Sequence, residues 1–179
     1  MFLTTQSKQL PEQWFHQYLS KLDKNSILHQ CQLVEITDLT QYNRFVGNNK
    51  SQSLKHLPKS QWIWGLVRQS DQQLLSTLHL TYIYSIVEWD SNKPPHIVEW
   101  DSNKPQHILQ WSYAFTRVDP LIRRQGLSKT LRLASMSLAK RQSYDYINSV
   151  PFTDAYSIGI LRQFGFDECG DCYIYDLKK

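Results

Sequence analysis

The segment Val118-Asp119-Pro120-Leu121-Ile122-Arg123-Arg124-Gln125-Gly126-Leu127-Ser128-Lys129 gathers three cations, a glycine and a small hydroxyl residue where strand-like sequence gives way to helix-like sequence. A glycine and a small residue at the opening of a helix let a ligand approach the main chain, and the first-turn N–H groups there lack intrahelical acceptors. Arg123, Arg124 and Lys129 place positive charge beside those amides. The combination fits an anion, and suits a pyrophosphate better than a carboxylate. On its own, Arg-x-x-Gly-x-Ser is weakly specific, because charged helix starts are common.

The flanking elements give the segment its setting. After Gly126, the residues Leu127, Leu131, Ala134 and Leu138 recur at helical spacing, and before it Ile108 to Val118 reads as a strand. Upstream, Pro11 to Leu22 is an amphipathic helix, with Trp14, Tyr18 and Leu22 on one face and Phe15 and Leu19 beside them. Ile27 to Ile36 reads as a first strand, and Thr37 to Ser60 as helical in pieces. Gln61 to Arg68 and Leu74 to Tyr84 are rich in aromatic and β-branched residues around a turn-like Ser70-Asp71-Gln72-Gln73, which predicts an antiparallel pair. Tyr146 to Val150 is a strand, Asp154 to Phe164 a short helix stopped by Gly165, and a terminal hairpin closes the chain.

The bulk properties bound the function. The chain has 179 residues, 41% hydrophobic and 20% charged, which suits a single domain with a real core. A formal net charge of +4, spread without blocks of like sign, argues against nucleic acid as the first partner. The N-terminus lacks the basic and apolar blocks of a secretory signal and no stretch has the length of a membrane span, so a cytoplasmic protein is expected. Cys169 and Cys172 form a Cys-x-x-Cys without a second ligand pair, and Gly170-Asp171 between them reads as a hairpin turn. No metal is expected. His79, in an apolar strand, reads as a satisfied buried histidine. Trp62, Trp64 and Trp111 could wall an aromatic pocket, but alternating strand aromatics are more often core.

Ile86 to His96 is repeated at once as Ile97 to His107, differing only at Pro95 against Gln106, and Ile108-Leu109-Gln110-Trp111 begins a third, partial copy. Two short copies are too few for a solenoid. Pairing both as hairpin strands would reverse the strand entering at Ile108 and destroy the downstream topology. Residues 86–107 are therefore expected as an extruded loop or hairpin arm of one domain spanning residues 1–179, with residues 1–26 a helical extension. A tolerated duplication without chemistry is the plain reading; an arm exchanged in a homodimer is the sharper one.

Arg123-x-x-Gly126-x-Ser128, after a strand ending Val118-x-Pro120 and before a long amphipathic helix, resembles the Gln/Arg-x-x-Gly-x-Gly/Ala pyrophosphate loop of the GNAT superfamily of N-acetyltransferases. Ser128 stands where Gly or Ala is usual. Asp154 to Phe166 is similar to that superfamily's Asn-x-x-Ala-Ile-x-Leu-Tyr-x-Lys-x-Gly-Phe helix, through Gly165-Phe166 above all. The resemblance implies an α+β fold, an α/β sandwich with a mixed, mostly antiparallel central sheet flanked by helices, and acetyl-CoA or another acyl-CoA as co-substrate. It assigns the pyrophosphate to the amides of Gln125, Gly126, Leu127 and Ser128 beside Arg123, Arg124 and Lys129. It also gives the pantetheine arm to the main chain of Thr116 and Val118, and a cofactor contact to Asp154. Leu161 stands where many members carry the Tyr that protonates the departing thiolate, which leaves Ser157, Tyr156 or solvent for that role. The reaction implied is direct attack by an amine on the thioester, with Glu99, His107, Tyr113 and Asp119 within range as bases and each open to a plainer reading. A small-molecule amine is the expected acceptor, with a protein amine as the alternative. The competing class is a non-catalytic acyl-CoA-binding or interaction module.

Overall fold

The computed structural model describes residues 10–47, 54–85, 106–117, 119–149, 155–169 and 172–178; the side chains of Ser85, Ala155, Tyr156 and Cys169 lie outside that description. Helix α1 (Glu12–Leu19) starts after Pro11, which cannot donate a hydrogen bond but whose carbonyl accepts from the Phe15 amide at 2.9 Å. Its Phe15 is buried and its Trp14 stacks on Tyr18. The strand expected from Ile27 starts later: Ile27–Gln30 is a 3-10 turn, because the Ser26 hydroxyl accepts from the Leu28 amide and caps it. Strand β1 is Cys31–Glu35. Asp38 then caps α2 (Leu39–Val46) by accepting from the Thr40 and Gln41 amides.

The remaining elements are β2 (Gln61–Arg68), β3 (Gln73–Ser85), β4 (Gln106–Thr116), α3 (Leu127–Arg141), β5 (Tyr146–Ser149), α4 (Ala155–Gln163), β6 (Asp167–Cys169) and β7 (Cys172–Asp176). The strands form one sheet in the order β1-β2-β3-β4-β5-β7-β6, in which β4 and β5 are parallel and every other neighbouring pair is antiparallel. Helix α3 is the crossover that a parallel pair requires. This is the α+β class with a mostly antiparallel sheet that the sequence predicts. Among the described residues, no helix is long and apolar enough to cross a membrane.

One face of the sheet packs Trp62, Trp64, Leu78, Leu80, Leu109 and Trp111 against Leu127, Leu131, Ala134 and Leu138 of α3, joined by Phe15 of α1 and Leu161 of α4. The three tryptophans are thus core, each at most 1% exposed. On the other face, Tyr42 of α2 covers Ile36, Ile63, Val67 and Leu74. Burial on this scale, at about 25 cal/mol per Å² of apolar surface, fixes the strands to the helices.

Two irregularities prepare a site. Strands β4 and β5 pair over four positions, from Ile108↔Tyr146 to Trp111↔Ser149. Beyond them β4 runs on to Thr116, and no described residue pairs with Ser112 to Thr116 on that side. Among the described residues the ladder therefore ends at Trp111, and the space beyond it along β4 is the gap, with Trp111 at its vertex. Immediately past the vertex Ser112 is a bulge, since Trp111 pairs with Leu80 and Tyr113 with the adjacent His79. Below it Leu109 and Trp111 face α3, and above it Ala114 does. Strands β3 and β4 pair directly out to Ser85↔Gln106. Gln106 and His107, which close the second copy of the duplication, thus open β4 instead of lying in an arm; residues 86–105 fall outside the described residues.

Candidate functional site

The loop into α3 is built around Asp119 and Gly126. The Asp119 carboxylate accepts from the Leu121 amide at 2.9 Å and its carbonyl accepts from the Ile122 and Arg123 amides at 3.0 Å. This is an Asx-type turn that occupies the side chain, the plainer of the two readings for Asp119. Ile122, 2% exposed, pins the loop to the core. Arg124 and Gly126 both have positive φ, 61° and 78°, and Gly126 is the cap of α3 in the left-handed region. A side chain there would meet nothing within 4 Å, so it is the backbone conformation that calls for glycine. Gly126 brings no side chain to cap the helix, and its carbonyl is taken by the Thr130 amide and hydroxyl.

These residues form one wall of a cleft of about 530 Å³. Ala114 and Thr116 of β4 form another, and Ser157 and Ile160 of α4 a third. An adjoining hollow of about 760 Å³ continues from Arg124 and Lys129 along Gly159, Gln163 and Phe164. Arg123, Arg124 and Lys129 are exposed at the mouth. The positive end of α3 and these cations together favour a ligand with several negative charges.

The structure adds Arg132, which also lines the cleft and is 3% exposed. Its guanidinium donates to the Ser128 hydroxyl and lies over the Trp111 ring, 5.7 Å from the centroid. The Trp111 indole N–H donates to Ser135 at 2.8 Å, and the Ser135 hydroxyl donates to the Arg132 carbonyl at 2.8 Å. A buried cation thus links the loop to the vertex of the gap, and the hydroxyl that replaces Gly or Ala at position 128 has a partner. The signal was present in the spacing: Arg132 is one helical turn after Ser128, on the same side of α3.

Of the other residues singled out by sequence, Thr116 lines the cleft and its hydroxyl is 3.0 Å from that of Ser76. Val118 and Asp154 lie outside the described residues, as do Glu99 and the Tyr156 side chain. Ser157 faces the cleft, whereas Leu161, one turn later, is fully buried in the core. The rotation of about 40° left over after four residues separates the two. His107 sits at the far end of β4, with Nδ1 2.8 Å from the Tyr82 hydroxyl. His79 is buried with Nε2 3.2 Å from Gln61 Oε1, its Nδ1 has no hydrogen-bond partner, and burial pushes its pKa down to about 4, so it is neutral at pH 7. Tyr113 is 43% exposed beside it.

The face of the gap turned away from α3 has a different character. Gln110 and Asn148 are register partners, so their side chains share the face opposite Leu109, Trp111 and Ile147. The Ser112 hydroxyl is 3.0 Å from that of Thr81 and donates to Gln110 Oε1 at 3.4 Å. Asn148 Oδ1 is buried and, among the described residues, has no hydrogen-bond partner.

No protein-family model matches the chain, and no curated protein matches it. Solved structures do. The toxin AtaT, in its Y144F form bound to acetyl-CoA and the C-terminus of the antitoxin AtaR, superposes with a TM-score of 0.58 over 83% of this chain and 94% of its own, at 15% identity. A chain of the KacTA–DNA complex gives 0.60 over 83% of this chain and 94% of its own, at 13% identity. A probable N-acyltransferase from Enterococcus faecalis V583 gives 0.55 over 76% of this chain and 32% of its own, at 12% identity. Likenesses at these identities concern architecture, and together with the sheet order and the β4–β5 gap they establish that this chain has the GNAT fold.

Proposed function

We propose that the chain is an acyl-CoA-dependent N-acyltransferase, which transfers acetyl from acetyl-CoA to a primary amine by direct attack in a ternary complex. The observation that carries the reading is the glycine-started N-terminus of α3, beside Arg123, Arg124 and Lys129, opening on a cleft walled by Ala114 and Thr116 of β4 and Ser157 of α4. Further support comes from the Arg123-x-x-Gly126-x-Ser128 resemblance and from the fold shared with AtaT, a structure of which holds acetyl-CoA.

In this reading the diphosphate lies on the amides of Gln125 to Ser128, and the pantetheine follows the free edge of β4 past Thr116 and Val118 toward the vertex. Asp154 is the proposed further cofactor contact. The attacking amine forms the new C–N bond as the C–S bond breaks, and the thiolate leaves. A thiolate is a good leaving group, so solvent or the Ser157 hydroxyl suffices to protonate it, with Tyr156 the other candidate. A main-chain N–H at the vertex is the natural donor to the carbonyl oxygen.

A small amine or a protein amine serves as the acceptor in the simplest form of this reading. An amine carried on RNA is a second form, favoured by the exposed Arg123, Arg124 and Lys129 around the cleft and by a structure of AtaT with acetyl-methionyl-tRNA. Calorimetric titration of acetyl-CoA tests the reading: saturable binding and thiol release with an added amine sustain it. Binding without thiol release across small amines, peptides and aminoacyl-RNA points instead to a non-catalytic acyl-CoA module, and absence of binding ends it.

A further inference from the structure

We propose that Gln110, Ser112 and Asn148 form the subsite that receives the acceptor's nitrogen, and that they take it as an uncharged amine. The inference rests on the acyl-CoA reading. If the cofactor fills the α3 side of the gap, its thioester reaches the vertex at Trp111, and the nucleophile must come from the opposite face. There the last but one pair of the parallel ladder, Gln110↔Asn148, sets two side-chain amides next to each other.

A hydrogen bond orients the Gln110 amide. Ser112 donates to Gln110 Oε1, so its oxygen is left to accept from Thr81. The Gln110 oxygen, with two lone pairs, keeps one acceptor position. Asn148 Oδ1 is buried and has no partner among the described residues. A buried carbonyl left in that state is costly, and a ligand N–H would relieve it. Side chains that neighbour each other across the ladder offer two carbonyl acceptors to the two N–H bonds of a primary amine and leave its lone pair free to point into the gap. An ammonium has no lone pair to attack with and must first lose a proton, a loss that two neutral amides oppose less than a carboxylate would. On attack the nitrogen lone pair forms the C–N bond, the C–S pair goes to sulfur, and the surplus proton on nitrogen passes to water.

A pair of cofactor derivatives reads this without knowledge of the natural acceptor. In the first, the CoA sulfur carries CH2–C(O)–NH–propyl; in the second, a methylene replaces the N–H. With the wild-type protein, the amide form should bind about tenfold more tightly than the ketone, the advantage of one well-placed hydrogen bond. In Asn148→Leu that ratio should fall to about one while the affinity for CoA itself changes less than about twofold, and Asn148→Asp, which keeps the acceptor, should restore part of it. Gln110→Leu gives a second measurement if Asn148→Leu does not fold. A ratio of one in wild type, or a ratio that survives the variant that folds, overturns the subsite while leaving the acyl-CoA reading intact. Failure of CoA to bind wild type overturns both.

Discussion

The two sides of the β4–β5 gap are built from opposite materials. Toward α3 the gap is charged, with exposed cations at a helix N-terminus and the buried guanidinium of Arg132 lying over Trp111. Away from α3 it is neutral, furnished with amides, hydroxyls and an uncharged His79. The contrast matches the two tasks of a ternary complex: an anionic cofactor gains from fixed charge, whereas a nucleophile must keep its lone pair.

The most damaging way to break that contrast is to reverse its charged side at the centre. Gly126→Glu puts a carboxylate where a diphosphate would sit and forces a non-glycine residue to positive φ, and should weaken acetyl-CoA binding at least about 100-fold. Calorimetry checks this, with circular dichroism to show that the fold persists. The neutral side is broken by acid. The folded pKa of His79, about 4, lies below its ordinary 6.5, so its contribution to stability is full above 6.5 and is lost as the pH falls toward 4. Wild type should lose about 2 to 3 kcal/mol over that window through this residue, and chemical denaturation of His79→Gln should show a flatter pH dependence.

Arg132→Met sharpens the contrast from within, since it removes the cation and keeps the bulk. Loss of its contacts to Ser128 and Trp111 should cost about 1 to 2 kcal/mol of stability and about tenfold in CoA affinity, seen by thermal melting and by titration. Lys129→Ala is the mildest change. Because Lys129 is exposed, a reduction of about three- to fivefold is expected at low ionic strength, shrinking as salt is added. A salt-independent effect would place Lys129 in direct contact with its ligand.

Much of the charged side was legible in sequence because its determinants are contiguous. Arg123 to Ser128 is one segment, and the helix after it announces itself by the spacing of Leu127, Leu131, Ala134 and Leu138. Arg132 was not read, because a lone arginine in an amphipathic helix reads as a solvated residue until Trp111, more than twenty residues earlier, is known to lie beneath it. The neutral side was opaque for a stronger reason. Gln110 and Asn148 meet only through a parallel pairing across α3, and side-chain amides have no spacing of their own. The 3-10 turn at Ile27–Gln30 escaped as well, since its apolar residues resemble the strand that follows and only the Ser26 cap separates them.

The bulge at Ser112 makes β4 a strand with two reading phases. Odd positions up to Trp111 and even positions from Ala114 serve the same face, so the core-forming half and the cleft-lining half are decoupled by one residue. Loss of that residue would leave a regular strand in which Tyr113 follows Trp111 on the far face and Ala114 and Thr116 keep the side of α3, so the pairing with β3 would survive and only the local distortion would go. A residue added in a regular stretch of β4, by contrast, would exchange the two faces for every position beyond it, so the vertex is the place where this strand can change length and keep both its core and its cleft.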